Sequence, residues 1–234
     1  RVIENGNIRS RLRIYYKNLE LDVILTNRSE FFEFEAKINN KKKNHKLQAV
    51  FNLEEKIFET YAQDSLGIIK RECDPDYSPA RRPQELKTNS FPMLNFVYAQ
   101  NTGILGEGIN EYEIYKKELR IALLRATGII SNPKCASRSI PAGPPLLTPE
   151  LQCIGTQKVR FALCFTEDKT ELFRYQEEFL GTHTAFVFDC DIKEKTFIKL
   201  PENKIFYGIT DEKEAILYNT KKDGAEFIRI NELT

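Results

Sequence analysis

IRSRLRIYYKNLELDVILT, from Ile8 to Thr26, sets the fold class of this chain. Ile8, Ser10, Leu12, Ile14 and Tyr16 fall on one side of a period-2 alternation, and Arg9, Arg11, Arg13 and Tyr15 fall on the other. Leu19, Leu21, Val23 and Leu25 then alternate with Glu20, Asp22 and Thr26. A two-residue turn at Lys17-Asn18 sets Ile14 opposite Leu21 and Arg13 opposite Asp22, so that apolar meets apolar and cation meets anion across one hairpin. Asn18 is the turn residue suited to positive φ, and Lys17 is a poor first turn residue.

The same alternation recurs at Phe32/Phe34/Ala36/Ile38, Leu47/Ala49/Phe51/Leu53 and Val159/Phe161/Leu163/Phe165. One helix is predicted, capped by Asp168, with Glu171 three residues on. It carries Leu172, Tyr175, Phe179 and Leu180 on one face, stops at Gly181, and is expected to lie across a sheet. Short strands follow near 185–188, 196–198, 205–207, 215–218 and 225–230. These features predict an all-β fold, a large antiparallel β-sandwich with one short helix, formed by residues 1–234 as a single domain.

The stretch LRIALLRATGIISNPKCASRSIPAGPPLLTPELQC, Leu119 to Cys153, joins one such strand to a loop with Pro141, Pro144, Pro145 and Pro149 and few charges. It predicts a rigid shelf that packs against something.

Composition removes several classes of function. Thirty-five basic against 34 acidic residues leave a net charge of +1, which offers no field for nucleic acid or an anionic membrane. No apolar run approaches the ~20 residues of a membrane span. Cysteines 73, 135, 153, 164 and 190 form no CxxC pair, and their odd number favours a reducing, cytoplasmic setting. Arg1 in first place, with alternation beginning at once, predicts an excised piece of a longer protein.

Catalytic chemistry is sparse. Glu107, Glu111, Glu113, Asp64, Asp74 and Asp76 invite a glycosidase reading, yet Glu111 and Glu113 stand ~7 Å apart on one strand face rather than across a cleft. His45 and His183 are the only histidines and read as exposed loop residues, so no zinc site is expected. Neither Cys135 nor Cys153 reads as an activated thiol. The proline-rich segment 72–87 reads as a solvated loop, or as a lip with Arg81 and Arg82 as donors.

The sequence blocks go further than the chemistry. NN-x4-H-x-L at Asn39–Leu47, DSLGIIKR at Asp64–Arg71, GINEYE at Gly108–Glu113, LRIALLRATGIIS at Leu119–Ser131, AGPPLLTPELQC at Ala142–Cys153 and IRINEL at Ile228–Leu233 resemble the C-terminal β region of glycoside hydrolase family 38. These are the α-mannosidases, and the bacterial branch looks most similar. The resemblance implies a supersandwich of galactose mutarotase type, cut from a retaining α-mannosidase and inactive alone. The N-terminal catalytic barrel, with its zinc or other divalent metal, and the last β segment would lie outside this chain.

Implied partners are the parent's own catalytic and helical domains and an α-mannoside, with self-association left open. Arg125 in LLRATG is the first candidate for a residue lent to the sugar site, with Tyr112, Glu150 and Gln152 behind it. For Arg125 the competing reading is a buried salt bridge under the shelf. The substrate stays open between a plain α-mannoside and a phosphorylated mannosyl-glycerate, for which Arg81, Arg82 and Arg138 could serve the phosphate. Two other readings stay open: a scaffold, oligomerisation or carbohydrate-binding domain working through Ile140–Leu151, and a mutarotase-like epimerase needing a histidine beside a carboxylate.

Overall fold

The computed structural model describes residues 1–76, 88–134, 140–181, 204–209, 214–219 and 224–229. Along the chain run β1 (Val2–Asn5), β2 (Arg9–Tyr16), β3 (Leu19–Thr26), β4 (Phe31–Asn40), β5 (His45–Asn52), β6 (Glu59–Asp64), β7 (Gly67–Glu72), β8 (Ser90–Pro92), β9 (Phe96–Ala99) and β10 (Thr102–Glu107). They continue with β11 (Glu111–Tyr115), β12 (Glu118–Ala126), β13 (Ile129–Ile130), β14 (Leu146–Leu147), β15 (Gly155–Phe165), the helix α1 (Glu171–Leu180), β16 (Lys204–Ile209), β17 (Glu214–Asn219) and β18 (Gly224–Arg229). Nine strands form one sheet in the order β1-β2-β3-β4-β15-β10-β9-β6-β7, and four form a second in the order β5-β12-β11-β8. Every pairing in both sheets is antiparallel. The described residues therefore form an all-β antiparallel sandwich with one α-helix. The strands β16 to β18 form a three-stranded sheet of their own, in which Leu217 is fully buried.

The opening hairpin has the register its side chains require, with Ile14 opposite Leu21 and Arg13 opposite Asp22. The positive φ falls on Lys17, at 52°, and not on Asn18. Matching both faces of the hairpin outweighs the roughly 1 kcal/mol that a left-handed lysine costs.

The strands β15, β10, β9 and β6 of the large sheet send alternate residues to two different layers. Inward, Phe161, Ile104, Val97 and Ala62 meet Tyr112, Ile114, Leu119 and Ile121 of the small sheet. Outward, Ala162, Cys164, Leu105, Phe96 and Tyr98 meet Leu172, Phe173, Tyr175 and Phe179 of α1. Burying each of the larger side chains contributes about 1.5–3 kcal/mol. At Gly103 a Cβ atom would lie 2.4 Å from a Leu172 methyl carbon and 2.6 Å from the Cys164 sulfur, so glycine there lets the helix approach the sheet.

The helix is docked electrostatically as well. Arg160 donates to Glu33 (2.8 Å), to Glu107 (2.8 Å) and to the Phe179 carbonyl in the last helical turn (2.8 Å), and its guanidinium lies 4.4 Å from the Phe179 ring centre. A cation there also suits the negative end of the helix dipole. The helix begins two residues later than an Asp168 cap implies. Thr170 holds the cap position, and the Asp168 carboxylate instead accepts from the Thr170 backbone N–H (2.9 Å) and hydroxyl (2.8 Å). Gly181 ends the helix in an extended conformation, φ −62°, with its N–H donated to the Glu177 carbonyl at 2.7 Å.

On the outer face of β2, β3 and β4 the polar residues form an ion-pair ladder. Asp22 is almost fully buried and accepts from both Arg11 and Arg13. Glu35 stands directly opposite Asp22 in the adjoining strand, and Arg11 bridges the two carboxylates. The Arg13 hydrogen bond, helped by Arg11, outweighs burial and holds the Asp22 carboxyl below its ordinary value.

Candidate functional site

Three of the sequence blocks meet at one corner of the sandwich, where β12 leaves the small sheet. β5 pairs with β12 so that His45 lies opposite Ala126 and Lys46 opposite Arg125. Beyond Ala126 the chain turns, and Ile129 and Ile130 pair with Leu147 and Leu146 of the proline-rich shelf. A short 3-10 turn at Pro149–Gln152 follows.

Gln152 fastens this corner across more than a hundred residues of sequence. Its Oε1 accepts from the Asn44 backbone N–H at 2.8 Å, and its Nε2 donates to Asn44 Oδ1 at 2.7 Å. The same Asn44 Oδ1 accepts from the Gly128 N–H at 3.1 Å. Asn40 donates to the carbonyls of Gln152 (2.9 Å) and Cys153 (3.0 Å). Thr127 N–H donates to the Leu151 carbonyl and Thr148 N–H to the Gly128 carbonyl. Asn44 takes a φ of 53°, a conformation that asparagine tolerates better than most residues. A Cβ on Gly128 would fall 2.4 Å from Gln152 Nε2, so this glycine leaves room for the clasp.

Asn44, His45, Arg125, Thr127, Gly128 and Asn132 line an open groove of about 640 Å³ beside the clasp. Arg125 is 70% exposed and donates to Glu111 at 3.1 Å. It is neither buried nor under the shelf, so the buried salt-bridge reading is corrected: the pair sits at the surface. Next to it Lys46 donates to both Glu111 (2.8 Å) and Glu113 (2.9 Å), and Gln48 also donates to Glu113. Burial pushes both carboxyls up, but Lys46 outweighs it and holds them below the ordinary carboxylate value. Two acids clamped by one lysine on one strand are a structural cluster, without the opposed geometry of a hydrolytic pair.

The other candidates fall in different settings. Tyr112 is fully buried, its hydroxyl bonded to Thr60 (2.8 Å) and its ring packed near Phe91, so its side chain belongs to the core and not to a rim. Its position between outward-facing Glu111 and Glu113 carries that information already, since neighbours on a strand point to opposite faces. Gln152 is buried and works as the clasp, whereas Glu150 is exposed on the shelf. His45 is half-buried, and its Nδ1 has no hydrogen-bond partner, which differs from the exposed loop setting expected of it.

The remaining acids are structural. Glu107 pairs with Arg160, Asp76 with Lys56 (2.7 Å), and the Asp64 and Asp74 carboxylates accept from the backbone N–H groups of Ser65 and Asp76. Cys164 is buried, and burial pushes its thiol up to about 12. Among the described residues no group of three or more His, Cys, Asp or Glu side chains comes together that could hold a metal ion, and no helix is long and apolar enough to cross a membrane. Arg81, Arg82, Arg138, His183, Cys135 and Cys190, the loop 77–87 and the strands expected near 185–188 and 196–198 lie outside the described residues. Sequence reasoning missed Asn40, Asn44, Thr127 and Gly128, although all four stand inside the blocks quoted for the family resemblance.

No family model and no curated protein matches the chain. Solved structures do. Over 93% of its length the chain matches an α-mannosidase from Enterococcus faecalis V583, with a TM-score of 0.67 and 18% identity. The chain shares its fold with part of an α-mannosidase. A second match, a glycosyl hydrolase family 38 protein from Enterococcus faecalis, covers 69% of the chain with a TM-score of 0.52 and 24% identity. The solved neighbours thus come from the family that the sequence blocks resemble. The chain spans 29% of the first solved chain and 17% of the second.

Proposed function

We propose that these 234 residues are a C-terminal β domain of a longer retaining α-mannosidase, and that the chain alone does not hydrolyse mannosides. The observation that carries this reading is the fold shared with an α-mannosidase over 93% of the chain. The chemistry of the corner fits an assisting role. Arg125 offers several donors on a planar guanidinium, one of them committed to Glu111, and the rest can bridge adjacent sugar hydroxyls. The nucleophile, the acid and any divalent metal belong, in this reading, to the parent's catalytic domain, which the β domain packs against. The cytoplasmic setting read from the cysteines is part of the proposal.

The test is Arg125→Lys in the natural full-length gene product, assayed with 4-nitrophenyl α-mannoside. A fall in kcat/KM of about tenfold or more, corresponding to about 1.4 kcal/mol of lost transition-state binding, is expected. An unchanged kcat/KM removes Arg125 from the sugar site, and mannose released by the 234-residue chain alone overturns the whole reading.

A second reading, a scaffold or assembly domain working through the shelf, is favoured by a separate observation. Ile140, Leu146 and Leu147 are 66%, 55% and 79% exposed, an apolar surface where a free-standing domain would carry polar residues. Both readings use the shelf as a packing face; only the first predicts an effect of Arg125→Lys on catalysis.

A further inference from the structure

β12 does not keep one alternation along its whole length. Leu119 and Ile121 are fully buried, and counted from these two alone position 125 would face inward. The pairing with β5 shifts between Ala122, opposite Gln48, and Leu124, opposite Leu47, so β12 carries one inserted residue. Leu123 packs against the core, as does its buried neighbour Leu124, and the alternation is reset: Leu124 and Ala126 are buried and Arg125 between them is exposed. A β-bulge re-aims the side chains beyond it, and here it brings Arg125 out to the face that carries Lys46 and Glu111.

The guanidinium meets a carboxylate that all four strands of the small sheet serve to hold. Glu111 belongs to β11. Its Oε1 accepts from Lys46 Nζ of β5 (2.8 Å) and from Ser90 Oγ of β8 (3.1 Å), while its Oε2 accepts from Arg125 Nη1 of β12 (3.1 Å). The Glu111 side chain is 23% exposed against 70% for Arg125, so a fixed acid holds a long side chain that is otherwise in solvent. An ion pair this exposed contributes little to stability. Orientation is what it supplies, because an arginine without a second contact is free to take many rotamers.

Glu113 lies two residues on, on the same face of β11. It accepts from the same Lys46 (2.9 Å) and from Gln48 (2.9 Å), and Arg125 bonds to Glu111 instead. The two acids therefore share one lysine and differ in their relation to Arg125.

We infer that Glu111 is a positioning residue, which holds the Arg125 guanidinium so that its remaining donors face the groove lined by Asn44, His45 and Thr127. The inference rests on the proposed role of Arg125 at the sugar site and deepens it: Glu111 acts through Arg125 and does not itself touch the sugar. A donor group held in place before the ligand arrives loses less freedom on binding than one that must be ordered by it.

The test is a double-mutant cycle in the natural full-length gene product, assayed with 4-nitrophenyl α-mannoside. Glu111→Gln keeps the size of the side chain and an acceptor for Lys46 and Ser90, but turns an amide NH2 toward Arg125. It is expected to lower kcat/KM about three- to fivefold, the range an exposed ion pair sets, and Glu111→Asp should recover part of the loss. With Arg125→Lys already in place Glu111→Gln is expected to add nothing, whereas independent contributions would multiply to about thirty- to fiftyfold. Glu113→Gln is expected to leave kcat/KM unchanged. Losses that multiply, or an equal loss in Glu113→Gln, overturn the inference. So does an unchanged kcat/KM in Glu111→Gln where Arg125→Lys loses tenfold, and that outcome leaves the proposed function standing; an unchanged Arg125→Lys ends both. Crystal structures of the full-length product give a readout apart from activity: the guanidinium is expected to point into the groove in the wild type and to leave it in Glu111→Gln, and the same orientation in both overturns the inference.

Discussion

Replacing Gln152 with alanine tests whether the clasp, and not the shelf's own prolines, fixes the corner that carries Arg125. The substitution removes two hydrogen bonds, of 2.8 and 2.7 Å, to Asn44. Each is worth about 0.5–1.5 kcal/mol net, and Asn44 is exposed enough for water to take over the freed groups, so the loss should be about 2 kcal/mol. For a domain of this size that is a fall in Tm of about 4–8 °C, measured by calorimetry. The local readout is sharper. Thr127 and Thr148 donate their N–H groups to Leu151 and Gly128, and exchange of both amides should accelerate well beyond that of Ile114 or Ile121 in the core. Gln152→Glu keeps an acceptor for the Asn44 N–H but turns an acceptor toward Asn44 Oδ1, so it should fall between wild type and alanine. Unchanged exchange at Thr127 and Thr148 in the alanine variant would refute the clasp, whatever happened to Tm.

Asp22→Asn removes a buried charge that both Arg11 and Arg13 address, and should cost about 2–4 kcal/mol at pH 7 by urea denaturation. Because the Asp22 carboxyl is held below its ordinary value, its contribution is present above the unfolded-state pKa of about 3.9 and disappears as pH falls through the lower folded value. The wild-type and variant curves should therefore converge in acid, and a gap that stays constant as the pH falls would contradict the charge argument. Gly103→Ala should push Leu172 off the sheet at a cost of about 1–3 kcal/mol, read as faster exchange in α1 with the small sheet unaffected.

Much of the sandwich is written in the sequence because its information is local. The opening hairpin states its own register twice, once in leucines and isoleucines and once in charges, and no other pairing satisfies both faces. The helix is similarly legible from Leu172, Tyr175 and Phe179 at helical spacing. Its cap is less so, since Asp168 and Thr170 both offer a side-chain oxygen to the same backbone groups, and only the geometry decides between them. The apolar character of the shelf is legible from its prolines and leucines, and Ile140, Leu146 and Leu147 are exposed on it.

What stayed hidden is non-local. Nothing near Gln152 indicates that its amide will close on Asn44, a hundred residues earlier, or that Gly128 is small to make room for it. A glutamine in a loop is by default solvated, and only the pairing of Ile129 and Ile130 with Leu147 and Leu146 brings it inward. Tyr112 failed as a rim candidate for the opposite reason: the block GINEYE drew attention to the motif, while the alternation inside it already turned the tyrosine inward. Motif and periodicity therefore carry different content. The motif marks a corner of the molecule, the periodicity says which side chains there can be reached, and of the four candidates only Arg125 and Glu150 satisfy both. Lys46 offsets one of the two negative charges of Glu111 and Glu113 and Arg125 offsets the other, so the corner is neutral, while Arg125, which lines the open groove, keeps further donors beyond the one given to Glu111.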